Sequence, residues 1–340
     1  MTLAGDCGWA LLRGVGIAFA AVLAGSGARA LIASSLRRAA RVAWAVHLAP
    51  LLTPVLLVGY AYSRFSLSLI REPALNQALY TALVWLRLTP VATLALYFAP
   101  TPIAPEALHC HRLLRPGGRR TLWSAIGLWL RGSGRAAGVA FAAVFLLAFG
   151  EFEMASLMGI RTWTVALFDA QIGGLALGAS LRLALPALAC QAALVLLVLA
   201  LLAFAPHRAR NARSGRRRLA PVARAAVWAC LGVAVLVGTL IPAIVVFRGT
   251  IQGIRLIGEV FTLLREVGAS AAFALVGAGA AYLAAGAALR FVRRAARRRR
   301  ALVLPFALCV PGLVGSLLVG LILLAVFQFP AVRPLYDTPL

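Results

Sequence analysis

Long apolar runs separated by short arginine-bearing stretches organise this chain from end to end. A helix needs about 20 apolar residues to cross a bilayer, where each backbone polar group must be satisfied inside the structure. The pattern predicts eight spans, over 9–33, 42–63, 75–99, 136–153, 180–205, 225–248, 269–290 and 301–328. The expected fold is all-α, a polytopic membrane protein of about eight transmembrane helices.

The arginines test that count independently. Stretches 34–41, 100–135, 206–224 and 290–300 hold 3, 6, 7 and 7 of them, while 64–74, 153–179, 248–268 and 329–340 hold 2, 1, 3 and 1. Strict alternation of rich and poor loops is what retention of positive charge on the cytoplasmic side predicts for eight correctly placed spans. The rich loops are therefore expected in the cytoplasm and both termini outside.

Composition agrees with a membrane setting. Hydrophobic residues make up 62% of the chain and charged residues 13%, with a mean hydropathy of +0.93. The net charge of +25 would point to nucleic acid in a water-soluble protein. Clustered between apolar spans, it points instead to membrane lipid headgroups and topology, with no nucleic-acid partner. Every basic residue is arginine. The cysteines, at 7, 110, 190, 230 and 309, are odd in number and scattered, so no disulfide framework is implied. No charged region precedes the first apolar run, and no removable signal peptide is expected.

The chain also echoes itself. Residues 20–60 and 281–321 align without gaps: Gly25 with Gly286, Arg29 with Arg290, Arg37 and Arg38 with Arg298 and Arg299, Pro50 with Pro311. Leu56-Leu57-Val58-Gly59 matches Leu317-Leu318-Val319-Gly320. Each copy reads as a small-residue helix, an arginine turn and a proline-opened helix, and internal helical repeats are a common construction of transporters. The expected organisation is a first repeat over 1–205, an arginine-rich cytoplasmic linker over 206–224 and a second repeat over 225–340. Gly277, Ala281 and Ala285 recur every four residues, as do Ala21 and Gly25, a spacing that lets backbones approach closely in lipid. Prolines at 50, 54, 90, 186, 242, 305 and 311 fall in or at the ends of spans. They are either kinks that shape a cavity or ordinary membrane-helix prolines.

The longest arginine-rich loop, 100–135, contains Pro105-Glu106-Ala107-Leu108, His109-Cys110-His111, Arg115-Pro116-Gly117-Gly118 and Ile126-Gly127-Leu128-Trp129. It resembles the cytoplasmic EAA loop of binding-protein-dependent ABC importer permeases, which forms a short coupling helix docked on the ATPase. Leu108 replaces the second alanine of that pattern, Arg112 its glycine and Trp129 its proline, and the interval before Ile126 is four residues longer. The run Gly150-Glu151-Phe152-Glu153, with Leu157-Met158-Gly159 and Thr162-Trp163-Thr164 leading to Phe168-Asp169-Ala170, resembles the segment after that loop in the iron(III)-type branch. The resemblance implies a type I ABC importer permease with two fused repeats in the bacterial plasma (inner) membrane. It also implies a separate ABC ATPase subunit and an extracytoplasmic substrate-binding protein as partners. In that register the second repeat stops before its own coupling loop, so the chain is expected to be a fragment.

On this resemblance Glu106, Ala107, Leu108, Ile126 and Leu128 form the ATPase-coupling element. An acidic side chain at a helix start suits the local dipole, and Glu106 is the expected contact to a basic groove. Glu151, Glu153 and Asp169 are candidates for the outer pathway or for binding-protein contact, with helix-end capping the stronger alternative reading. The same alternative applies to Glu259 and Glu266. Adjacent His109, Cys110 and His111 cannot readily converge on one metal ion. His47 and His207 are placed at span edges without partners. Arg87 and Arg182 are read as snorkelling, or as pairing with a carboxylate inside the bundle.

No GxxxxGK[ST], GxSxG, HExxH or Ser/His/Asp arrangement occurs, so neither ATP binding by a P-loop nor enzymatic activity is expected, and no cofactor or metal site. The leading expectation is the translocation subunit of an ABC importer, ferric iron being one candidate cargo. The alternatives are an ion-coupled secondary transporter and a membrane enzyme acting on lipid-linked substrates.

Overall fold

The computed structural model describes residues 3–69, 71–98, 133–203, 220–254 and 260–294, with a few positions between 319 and 327. Among the described residues it is all-helical, with no strand. Eleven helices follow in order: α1 Leu3–Ser34, α2 Arg37–Leu52, α3 Val55–Ser68, α4 Pro73–Phe98, α5 Ser133–Phe149, α6 Glu153–Leu157, α7 Trp163–Ile172, α8 Leu177–Ala203, α9 Pro221–Val235, α10 Ile241–Ile254 and α11 Val260–Arg294. A π-helical turn, Leu236–Leu240, joins α9 to α10. Among the described residues six helical stretches are long and apolar enough to cross a membrane, seven if α2 and α3 together make one crossing. The chain is thus a multi-pass membrane protein by length and composition. Most of the eighth expected span, 301–328, lies outside the described residues, as does almost all of loop 100–135.

Packing divides the chain into two compact units, residues 1–242 with 314–340, and 243–313. The heart of the first is a triplet of α1, α4 and α5. Helices α1 and α4 run parallel: Arg13 meets Gln77 near their starts, and Gly25 meets Thr93 further along. Small residues make the approach possible, since a Cβ on Gly25 would lie 3.1 Å from Ala92 and Thr93, and Ala21 is fully buried. Helix α5 runs antiparallel to α1. Gly14 leaves room for the Phe145 ring, 3.2 Å from where its Cβ would be. Phe141, Phe145 and Phe149, at successive four-residue steps on α5, stack along the helix and hand over to Trp163 of α7. The indole of Trp163 donates to the Phe149 carbonyl (2.8 Å), so the end of α5 is pinned to the start of α7.

The stretch expected as a plain loop over 153–179 contains α6 and α7, each too short to register in a span-length pattern. Gly159, at φ +63°, turns the chain between them in the left-handed region, and Thr162 caps α7 by accepting from the Val165 amide. Helix α6 lies against α3. A Cβ on Gly59 would meet Leu157 at 2.7 Å. Ser66 of α3 and Asn76 of α4 both bond the Met158 carbonyl at the end of α6.

In the second unit the stripe Gly277, Ala281 and Ala285 is exposed along α11, and a Cβ on Gly277 would meet nothing within 4 Å.

Candidate functional site

Two membrane spans are broken at mid-length, and the breaks face each other. Helices α2 and α3 bend by 69° at Thr53–Pro54. Proline has no amide hydrogen and disfavours helical geometry in the residue before it. Thr53 accordingly takes an extended backbone (φ −68°, ψ 126°), and its amide and hydroxyl both donate to the Ala49 carbonyl (3.0 and 2.9 Å). In the other span Pro242 follows the π turn. A proline ring crowds the carbonyl four residues earlier, here Gly238, and the widened turn relieves it.

Three contacts join the breaks. Thr53 Oγ1 and Thr239 Oγ1 are 3.0 Å apart, and the Tyr62 hydroxyl donates to the Val237 carbonyl at 2.9 Å. Pro50 packs on Gly238, where a Cβ would lie 3.1 Å from the proline Cβ. The junction holds hydroxyls and a backbone carbonyl near the middle of two apolar spans, a place where irregular backbone survives only with protein or water partners.

One turn along α2, His47 is buried, and its Nε2 lies 2.6 Å from Thr93 Oγ1. This corrects the expectation of a partnerless edge histidine. The ring sits inside because α4 presents a threonine to it, and its own helix turns Trp44 toward Tyr97 of α4 (ring centroids 5.1 Å apart).

A second polar cluster closes the end of the triplet where α1 and α4 begin. The Glu151 carboxylate accepts from the Tyr80 hydroxyl (2.7 Å) and from the amides of Met154 and Ala155 (2.6 and 3.1 Å). Glu151 therefore caps α6 and ties it to α4, the helix-end role weighed for it in the sequence. Arg13 is buried, with its guanidinium 4.7 Å over the Tyr80 ring and donating to Gln77 (2.9 Å). Arg87, half-buried, is within electrostatic reach of Glu151 and Glu153, and its Nε has no hydrogen-bond partner. Arg182 is exposed, as a snorkelling side chain would be. Glu151 and Glu153 thus both lie within electrostatic reach of Arg87, while Asp169 is exposed on α7.

Glu106, Ala107, Leu108, Ile126 and Leu128 lie outside the described residues, as do His109, Cys110, His111, His207 and Glu259. Among the described residues no three His, Cys, Asp or Glu side chains converge as a metal site would need. The residues that sequence reasoning passed over are Thr53, Tyr62, Thr239, Thr93 and Arg13. Pro54 and Pro242 were two of seven span prolines read alike as kinks or ordinary membrane-helix residues, and nothing in the sequence signalled that the breaks beside them meet. No family model matches the chain, and neither a curated protein nor a solved structure matches it.

Proposed function

We propose that this chain is a transport protein whose translocation pathway runs through the junction of its two broken spans. The observation that carries the reading is that junction: helices interrupted at mid-membrane and turned toward each other are how transporters place polar groups in an apolar interior. The specific form proposed is the permease subunit of an ABC importer in the bacterial plasma membrane, ferric iron being the nearest cargo by resemblance. This form rests on the residues of 100–135 and 150–170. In it, ATP closes a pair of partner ATPases, their motion reaches the spans through the loop bearing Glu106, and the pathway opens toward a loaded binding protein.

The test is affinity purification of the native chain from its own membranes, with any co-purifying P-loop ATPase identified. The ATPase is expected to travel with the native chain and to be lost with Glu106→Arg. Absence of any ATPase in the native complex, or retention by the variant, would contradict the importer form. The threonine hydroxyls at the junction favour an ion-coupled carrier as second reading, since unwound helices with hydroxyl and carbonyl oxygens also suit cations. Gradient-driven uptake of ferric iron into proteoliposomes without ATP would select it.

A further inference from the structure

In a regular α-helix the Val237 carbonyl accepts from the amide of residue 241, and in a π turn from that of residue 242. Neither is available. The Ile241 amide donates to Leu236, and residue 242 is proline, which has no N–H. The carbonyl is orphaned at mid-membrane, where an unsatisfied backbone group costs on the order of several kcal/mol. The Tyr62 hydroxyl, at 2.9 Å, supplies the missing donor from the other broken span.

We infer that Tyr62 is the latch of a gate: its hydroxyl replaces the amide that Pro242 lacks, so the two broken spans open and close together. The latch stands on the geometry alone; the gate rests on the transport reading above. Thr53 and Thr239 join the same two segments through their hydroxyls. Gly238 lets the backbones close to contact, because Pro50 occupies the space its side chain would fill. The chemistry sets a condition for opening. When Tyr62 withdraws, the Val237 carbonyl needs another donor, and at that depth only water or a hydrogen-bonding cargo can provide one. The gate opens as the pathway hydrates.

A double-mutant cycle tests the latch, with Tyr62→Phe, Pro242→Ala and the pair compared by thermal unfolding in detergent. Tyr62→Phe is expected to lower the unfolding temperature in the native background. In the Pro242→Ala background the shift is expected to be about half or less, because the new amide supplies the donor. Equal shifts in both backgrounds would overturn the latch. The gate is tested by Thr53→Cys with Thr239→Cys in a chain whose five native cysteines are replaced by alanine, assayed by ferric iron uptake into proteoliposomes with the ATPase. The hydroxyls are 3.0 Å apart, within bridging reach for sulfurs. Oxidation is expected to form the disulfide and stop uptake, and reduction to restore it. A formed disulfide with undiminished uptake, or failure of the pair to cross-link, would overturn the gate. Absence of uptake by the native chain under the same conditions would instead sink the transport reading, leaving the cycle to decide the latch.

Discussion

Glu151 shows how a carboxylate can be stable at the edge of an apolar bundle. Its oxygens receive a phenol and two backbone amides, and Arg87 stands within electrostatic reach. Charge-assisted hydrogen bonds of this kind are the strong ones, and removing a partner leaves the others unsatisfied. Glu151→Ala is therefore expected to destabilise the protein by about 2–4 kcal/mol, since it uncaps α6 and strands both Tyr80 and Arg87. The informative comparison is Glu151→Gln alone against Glu151→Gln with Arg87→Met, read by thermal unfolding in detergent. If Arg87 is held by the carboxylate, removing both charges costs less than removing one. A double variant as unstable as the sum of its parts would show that Arg87 acts independently. His47 makes a smaller case of the same rule. Thr93→Val should cost about 1–2 kcal/mol by leaving the buried imidazole without its partner, and Thr93→Ser should cost much less.

At the scale of elements, glycine decides which helices touch. Gly59→Ala places a methyl group against Leu157 and within 3.4 Å of the Met154 Cα. It should loosen α6 from α3 at a cost of about 1–3 kcal/mol. Gly16→Ala, on α1 with nothing within 4 Å, should be neutral or slightly stabilising, because alanine favours helix. Limited proteolysis near Gly159 would report the difference: faster cleavage after Gly59→Ala, unchanged cleavage after Gly16→Ala. The elements also mark how far the sequence could be read. Spans over 9–33, 75–99, 180–205 and 269–290 were legible because each run is long and predominantly apolar, with arginines concentrated in the stretches between runs. The span over 42–63 was legible in extent and not in shape, since Pro50 and Pro54 are equally proline in sequence and only Pro54 breaks the helix. Pro90 and Pro186 lie inside unbroken helices. Whether proline bends a helix depends on whether a neighbour can satisfy the freed carbonyl, and that is a tertiary fact. Helices α6 and α7 escaped notice because ten residues or fewer cannot display a membrane-length pattern. Glu151, Glu153 and Asp169 were legible as candidates by their rarity in an apolar chain. That Glu151 bonds Tyr80 and caps α6 followed from the turn at 150–152, which no periodicity encodes.

For the whole molecule, the two polar clusters occupy different depths. The Arg13–Tyr80–Glu151 cluster closes the end of the α1–α4–α5 triplet, while the Thr53–Tyr62–Thr239 junction lies near the middle of its spans. In the proposed function the first is a fixed clasp and the second is the moving part. A span that only anchors the protein keeps its mid-membrane residues in lipid or protein at all times, whereas a translocation pathway hydrates them once in each cycle. The measurement that separates these cases is labelling of Thr53→Cys by a membrane-impermeant thiol reagent, in a chain freed of native cysteines and reconstituted with the ATPase that the proposed function calls for. Val233→Cys, an exposed position well inside the span on α9, serves as the lipid-facing control. Thr53→Cys should resist the reagent at rest and react during ATP turnover, while the control stays unlabelled throughout. Equal protection of Thr53→Cys with and without ATP would contradict a pathway through the broken spans.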